Sequence, residues 1–117
     1  MSQPAESVIY KISPASPWRE AEREGVFRGA PVDLADGFIH FSTAEQVEET
    51  AARHFAGQQD LLLIAVEVAK LGPALRWEPS RGGALFPHLY ATLCLTSVRW
   101  VRPLLLAAGG KHIFPPL

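Results

Sequence analysis

The sequence predicts a single small α+β domain, and three observations carry that expectation. The chain has 117 residues, 48% of them apolar and 20% charged, which suits one packed unit and argues against general disorder. Its patterned segments run strand, helix, strand, helix and then mostly strands, an order typical of α+β folds. Ten prolines and nine glycines cut the chain into short elements joined by tight turns. The domain is expected to fill residues 1–117, with a core of about 8–103 and irregular tails at both ends, and with two helices among mostly antiparallel strands.

Each element has a local reason. Val8-Ile9-Tyr10-Lys11-Ile12 reads as a first strand, with Lys11 facing either solvent or a cleft. Ser16 followed by Pro17 matches a helix cap with proline at the first helical position, so a short helix is expected over Trp18–Glu24, stopped by Gly25 and burying Trp18 and Ala21. Residues 26–36 read as an extended connection in which Arg28 beside Gly29 is either a solvated turn residue or a ligand contact. Gly37-Phe38-Ile39-His40-Phe41-Ser42-Thr43 reads as a short buried strand running into a helix. Ser42 with Glu45, or Thr43 with Gln46, could close a capping box. The main helix is expected over about 43–56, with Ala44, Val47, Ala51 and Phe55 on its buried stripe and Glu49 paired with Arg53. His54 in its last turn reads as structural.

The run Leu61-Leu62-Leu63-Ile64-Ala65-Val66-Glu67-Val68 is the longest apolar stretch and predicts a central strand buried on both faces. After a turn at 70–73 come a strand over 74–78, a mobile-looking loop over Pro79-Ser80-Arg81-Gly82-Gly83, and a return through Leu85-Phe86-Pro87-His88-Leu89-Tyr90. Val98–Arg102 reads as the last strand, followed by an irregular tail containing Gly109-Gly110 and Pro115-Pro116.

Composition narrows the function classes. A net charge of −1 and a pI near 6.4 give no general attraction to nucleic acid or to an anionic membrane, although Arg76, Arg81, Arg99 and Arg102 allow a local anion site. No segment approaches the roughly 20 apolar residues of a membrane span. The start, Met1-Ser2-Gln3-Pro4-Ala5-Glu6, lacks a secretory signal, so a cytoplasmic protein is expected. The single cysteine excludes an internal disulfide, and Cys94 between two leucines reads as a small buried hydrophobe.

Three polar clusters interrupt apolar surroundings: His40 with Ser42 and Thr43, Arg76 with Glu78, and His88 with Tyr90. A buried polar group left unpaired costs about 1–3 kcal/mol, so their repetition in strand-like segments is informative. His40 reads equally as a core histidine bonded to a backbone carbonyl and as a cleft residue. His40, Glu78 and His88 are the candidate acid–base groups, because histidine titrates near neutrality and burial raises a glutamate toward it. No metal site is expected, since the two-histidine helical spacing of zinc hydrolases is absent. Serine catalysis and a glycine-loop phosphate site lack their motifs. Anion binding is expected from Arg28, Lys11 and the helix start at Ser42-Thr43.

In order, Ile9-Tyr10-Lys11-Ile12, Asp36-Gly37-Phe38-Ile39-His40-Phe41-Ser42-Thr43, Trp77-Glu78 and Phe86-Pro87-His88-Leu89-Tyr90 closely resemble the bacterial domain-of-unknown-function 952 family over about residues 8–103. The resemblance implies a fold like that of the ADP-ribosyltransferases, which use NAD. It implies Lys11 where those enzymes offer a histidine to the ribose, His40 where a tyrosine stacks on nicotinamide, and Glu78 near the usual glutamate. The two replacements depart from standard ADP-ribosyl transfer and look more like the NAD-using RNA 2′-phosphotransferases. The implied function is binding of NAD or a related phosphorylated nucleotide-like small molecule, with transfer at the ribose. In it His40, Glu78 and His88 are catalytic, and Lys11, Arg28, Ser42, Thr43 and Tyr90 bind the ligand. A non-catalytic binding module and a hydrolase using a histidine pair are the alternatives.

Overall fold

The computed structural model describes residues 6–117; the reading of the first residues as lacking a signal falls on 1–5, outside them. In chain order its elements are β1 (Val8–Pro14), α1 (Ala15–Glu24), β2 (Val26–Phe27), α2 (Pro31–Asp36), β3 (Ile39–His40), α3 (Val47–His54), β4 (Leu61–Glu67), β5 (Leu75–Pro79), β6 (Leu85–Leu89), β7 (Leu93–Cys94), β8 (Val98–Leu106) and β9 (His112–Ile113). The class is α+β with antiparallel pairing throughout.

β4 organises the packing. It lies between β1 and β8 in a sheet of order β1-β4-β8-β9, and its residues from Leu61 to Val66 are all buried. Strand alternation sends its side chains to two different cores. Leu62, Ile64 and Val66 join Ile9, Trp18, Phe27 and Leu93 on one face. Leu61, Leu63 and Ala65 meet Tyr10, Ile12, Val47 and Ala51 on the other. Helix α1 thus covers the first face through Trp18 and Ala21, and α3 covers the second through Val47 and Ala51. The expected two-sided burial of this strand holds.

A second sheet has the order β3-β6-β5, and β2 with β7 forms a small ribbon. The two larger sheets share the first core, where Ile39, Leu75 and Leu89 join Ile9 and Ile64, and backbone hydrogen bonds link them around Phe41 and Ser42. Tyr10 and Ser42 exchange both backbone hydrogen bonds at 2.8 Å, while the Phe41 amide donates to the Pro87 carbonyl at 3.0 Å. The chain leaving β3 is therefore tied to both sheets within two residues, and a cleft opens beside that tie.

Several expectations need correction. There are three α-helices among the described residues, not two. The missed one, α2, lies in the segment read as extended. It starts with Pro31 and holds its first turn by Asp33 Oδ2 accepting from the Ala30 amide at 2.8 Å. Its Val32 and Leu34 are exposed, so no apolar stripe announced it. Helix α1 starts earlier than expected, at Ala15 with Pro14 before it and no side-chain cap. Helix α3 starts later, at Val47, because Thr43 opens a turn instead. The Thr43 amide donates to Gln46 Oε1 at 3.0 Å, and Gln46 Nε2 donates to the Leu85 carbonyl at 2.8 Å. Half of the expected capping box is present, but it ends a turn and anchors β6. In the loop after β5 the glycine pair takes positive φ as its sequence permits, at Gly82 and Gly83, and the Ser80 amide donates to the Ala84 carbonyl at 2.9 Å. The tail is ordered as a hairpin, β9 returning along β8. Cys94 is exposed: in β7 Leu93 points inward and its neighbour must point outward.

Candidate active site

Asp33 is the node from which the site is built. It is buried at 2% exposure. Its Oδ1 accepts from Lys11 Nζ at 2.8 Å and from the His40 backbone amide at 3.1 Å, and lies 2.7 Å from His40 Nδ1. Gly29 permits this approach, since with φ at +128° a Cβ there would lie 2.8 Å from the Asp33 Cβ. The other ring nitrogen of His40, Nε2, lies 2.9 Å from Asp36 Oδ2. One short helix thus supplies both carboxylates that hold His40. Carboxylate oxygens only accept, so the ring makes both bonds when it carries two protons.

Burial and charge set the ionisation here. For Asp33, burial pushes the carboxyl upward, but the His40 hydrogen bond and the Lys11 charge outweigh it and hold the pKa at about 2 against an ordinary 3.8. For Lys11, burial lowers the ammonium pKa, opposed by the charge and hydrogen bond of Asp33. Lys11 therefore faces inward, resolving the open alternative for β1, and it is a buried cation with a dedicated counter-ion.

The second sheet aligns the other clusters. Register places His40 opposite His88 and His88 opposite Arg76, so side chains from three strands share one face. His88 Nδ1 lies 2.7 Å from Glu78 Oε1, and the Tyr90 hydroxyl donates to the same oxygen at 2.7 Å. Those hydrogen bonds, Tyr90 first and His88 second, hold the Glu78 carboxyl below its usual range. The reciprocal effect raises the Tyr90 phenol, chiefly through the bond to Glu78. Phe38 stacks on His88 at 4.2 Å between ring centroids, and the His40 and His88 rings stand edge-on at 5.7 Å. The Arg76 guanidinium lies over Tyr90 at 4.7 Å.

The cleft beside the Tyr10–Ser42 tie has a volume of about 520 Å³, within the range of small-molecule sites. Lys11 and Ser42 lie at its junction of sheets, His40, Asp36 and His88 form one polar wall, and Phe41, Phe55 and Phe86 supply apolar surface. Ser42 Oγ lies 3.0 Å from Thr50 Oγ1.

Of the residues expected from sequence, Lys11, His40, Ser42 and His88 line this cleft. Glu78 and Tyr90 do not line it: Glu78 bonds the cleft residue His88, and Tyr90 bonds Glu78 and borders a separate cavity. Thr43 does not line it, and its amide is engaged by Gln46; the Ser42 amide is bonded to Tyr10. These bonds occupy the backbone donors on which the expected anion site at Ser42-Thr43 depended. Arg28 is exposed, pairs with Glu24, and borders a different cavity. His54, read as structural, is on the cleft wall. The residues that sequence reasoning missed are Asp33, Asp36 and Phe38. Proline followed two positions later by aspartate marks a helix first turn, and Phe38 shares a strand face with His40 by simple alternation.

Comparison with known proteins gives a family and solved structures. The family model described as "Protein of unknown function (DUF952)" matches residues 12–101. A crystal structure of protein CC0527 from Caulobacter crescentus is similar at 50% identity and a TM-score of 0.88, covering 92% of this chain and 94% of that one. A solution NMR structure of CC0527 gives 51% identity and a TM-score of 0.81, covering 91% of each chain. No functionally curated protein matches.

Proposed function

We propose that this chain, which belongs to the DUF952 family of proteins of unknown function, binds a nucleotide-like small molecule such as NAD in the cleft and acts at its ribose. The observation that carries this reading is the pair of carboxylate-held histidines, His40 with Asp33 and His88 with Glu78, facing one cleft at a ring separation of 5.7 Å. An ADP-ribosyltransferase-like arrangement of the two sheets belongs to the same proposal, with Lys11 and His40 as the strand residues that face the ligand.

The chemistry follows from donors and acceptors. With its Nδ1–H donating to Glu78, His88 presents Nε2 as an acceptor, the arrangement of a general base for a ribose hydroxyl. Glu78 acts through His88 and orients it. An ammonium has three donors; Lys11 gives one to Asp33, and the others serve a ligand phosphate or ribose oxygen. Ser42 adds a hydroxyl at the same junction.

Titration calorimetry with NAD, ADP-ribose and ribose 5-phosphate, with chromatography of the products, tests the proposal. Binding of at least one of them with turnover abolished in His88→Gln supports it, and hydrolysis products would mark the hydrolase alternative. Absence of heat at millimolar ligand from the folded protein overturns it. A non-catalytic binding module is the second reading, favoured by His40 having both ring nitrogens engaged by carboxylates at 2.7 and 2.9 Å. In that case His40→Ala weakens binding and no turnover exists to abolish.

A further inference from the structure

We infer that the ligand site is bipartite, with a second compartment beyond Phe38 that receives the second planar group of a dinucleotide-like ligand. This rests on the cleft being a nucleotide site and names what the ligand's other end touches. Alternation along β6 places Phe86, His88 and Tyr90 on one face, and the register that sets Ile39 opposite Leu89 brings Phe38 alongside Tyr90. The cleft takes Phe86, His88 and His40 from this row. A second cavity of about 310 Å³ takes Phe38 and Tyr90, with Ile39 and Leu89 beside them and Arg28, Asp33 and Thr92 around it.

The two spaces have no lining residue in common; the Phe38 ring on one side and the His40 and His88 rings on the other stand between them. Phe38 touches His88 at 4.2 Å, His40 at 4.6 Å and Tyr90 at 5.1 Å between centroids, so a ligand crossing from one space to the other passes over its edge. From Phe86 to Tyr90 the strand advances about 13 Å. That distance suits two ring systems joined by a phosphate linker and exceeds what a single nucleobase needs. Arg28 supplies the matching charge. Its guanidinium borders the second cavity and is held by Glu24 four residues before it, with both side chains exposed. An exposed pair of this kind is easily exchanged, and a phosphate offers the guanidinium a stronger, bidentate partner. Arg28 was expected to hold phosphate from the sequence; here it does so from the far compartment.

The test compares NAD with its two halves, AMP and nicotinamide mononucleotide, by calorimetry on the wild type and on Thr92→Trp. Thr92 is exposed, so the indole fills the second cavity without entering the core, and circular dichroism checks the fold. NAD is expected to bind the wild type at least tenfold more tightly than its tighter half. In Thr92→Trp its affinity should fall to that of the half held in the cleft, which itself is unchanged. Arg28→Gln should weaken NAD about tenfold with the same half unaffected. The proposal is overturned if NAD binds Thr92→Trp as tightly as wild type, if it binds the wild type no better than a half, or if the variant loses NAD and halves equally. Binding of a half with any of these results leaves the cleft assignment standing; binding of none removes both.

Discussion

Replacing Asp33 by asparagine removes one charge and keeps the shape, and it should be among the most damaging single changes in the protein. Oδ1 receives three contacts, from Lys11 Nζ, His40 Nδ1 and the His40 amide, and Oδ2 receives the Ala30 amide. An asparagine amide must turn its NH₂ toward one of these donor sets, so a donor faces a donor in either orientation. Lys11, at 3% exposure, would lose its counter-ion inside the protein. Breaking a buried pair by removing one partner costs about 3–5 kcal/mol, much of the roughly 5–15 kcal/mol that stabilises a domain. Urea unfolding followed by tryptophan fluorescence measures the loss. A second change, Lys11→Met in the same chain, should recover part of it, since the uncompensated ammonium is gone. The pH dependence gives an independent reading. Asp33 has its folded pKa depressed to about 2 from 3.8, so its contribution is fully present above 3.8 and is lost as the pH falls toward 2. The difference is worth about 2 kcal/mol, and Asp33→Asn should flatten the stability profile over that window. A loss below about 1 kcal/mol near neutral pH, with an unchanged acid limb, would show that Asp33 is not the electrostatic centre described above.

Gly29→Ala should destabilise by about 1–3 kcal/mol, because the added methyl meets the Asp33 Cβ at 2.8 Å and φ is +128°; an unchanged urea midpoint would contradict this. Glu78→Gln should lower the ultraviolet titration midpoint of Tyr90, whose phenol is held above its ordinary value mainly by Glu78, and no movement would mean that the hydroxyl does not bond there. Cys94, exposed and with its thiol lowered by the Thr96 hydrogen bond, should alkylate in the native protein at a rate within about tenfold of the unfolded chain. Thr96→Val should slow that reaction, and full protection in the native state would restore the buried reading.

The parts of the fold that were legible in sequence are those decided locally. The Leu61–Val66 run needs no partner to declare itself buried, and Gly25 ends α1 with φ at +82° as its position suggests. The Glu49–Arg53 pair forms at 2.8 Å. What stayed hidden depends on contacts distant in sequence. Lys11 could face either way until Asp33 is known to lie beside it, and Asp33 sits in a helix too short and too exposed to leave a periodic trace. The three polar clusters were visible, but their convergence is a matter of register: His40, His88 and Arg76 fall in one row because β6 pairs with both β3 and β5. Cys94 was misread because its leucine neighbours suggested a buried run, where a two-residue strand buries alternate positions.

The backbone tie between Tyr10 and Ser42 bears on how the protein is made. β1 is translated first but has no strand to pair with until β4 follows it, and the partner of His40 lies later still, in β6. Such non-local pairing is slow to form and leaves strand edges open meanwhile. A nascent chain that ends before Leu85 can bring Lys11 to Asp33 but cannot anchor Gln46 to the Leu85 carbonyl or set His88 across from His40. Cleft and second sheet therefore arise together, once β6 has been made, and a truncation that removes β6 should forfeit both at once.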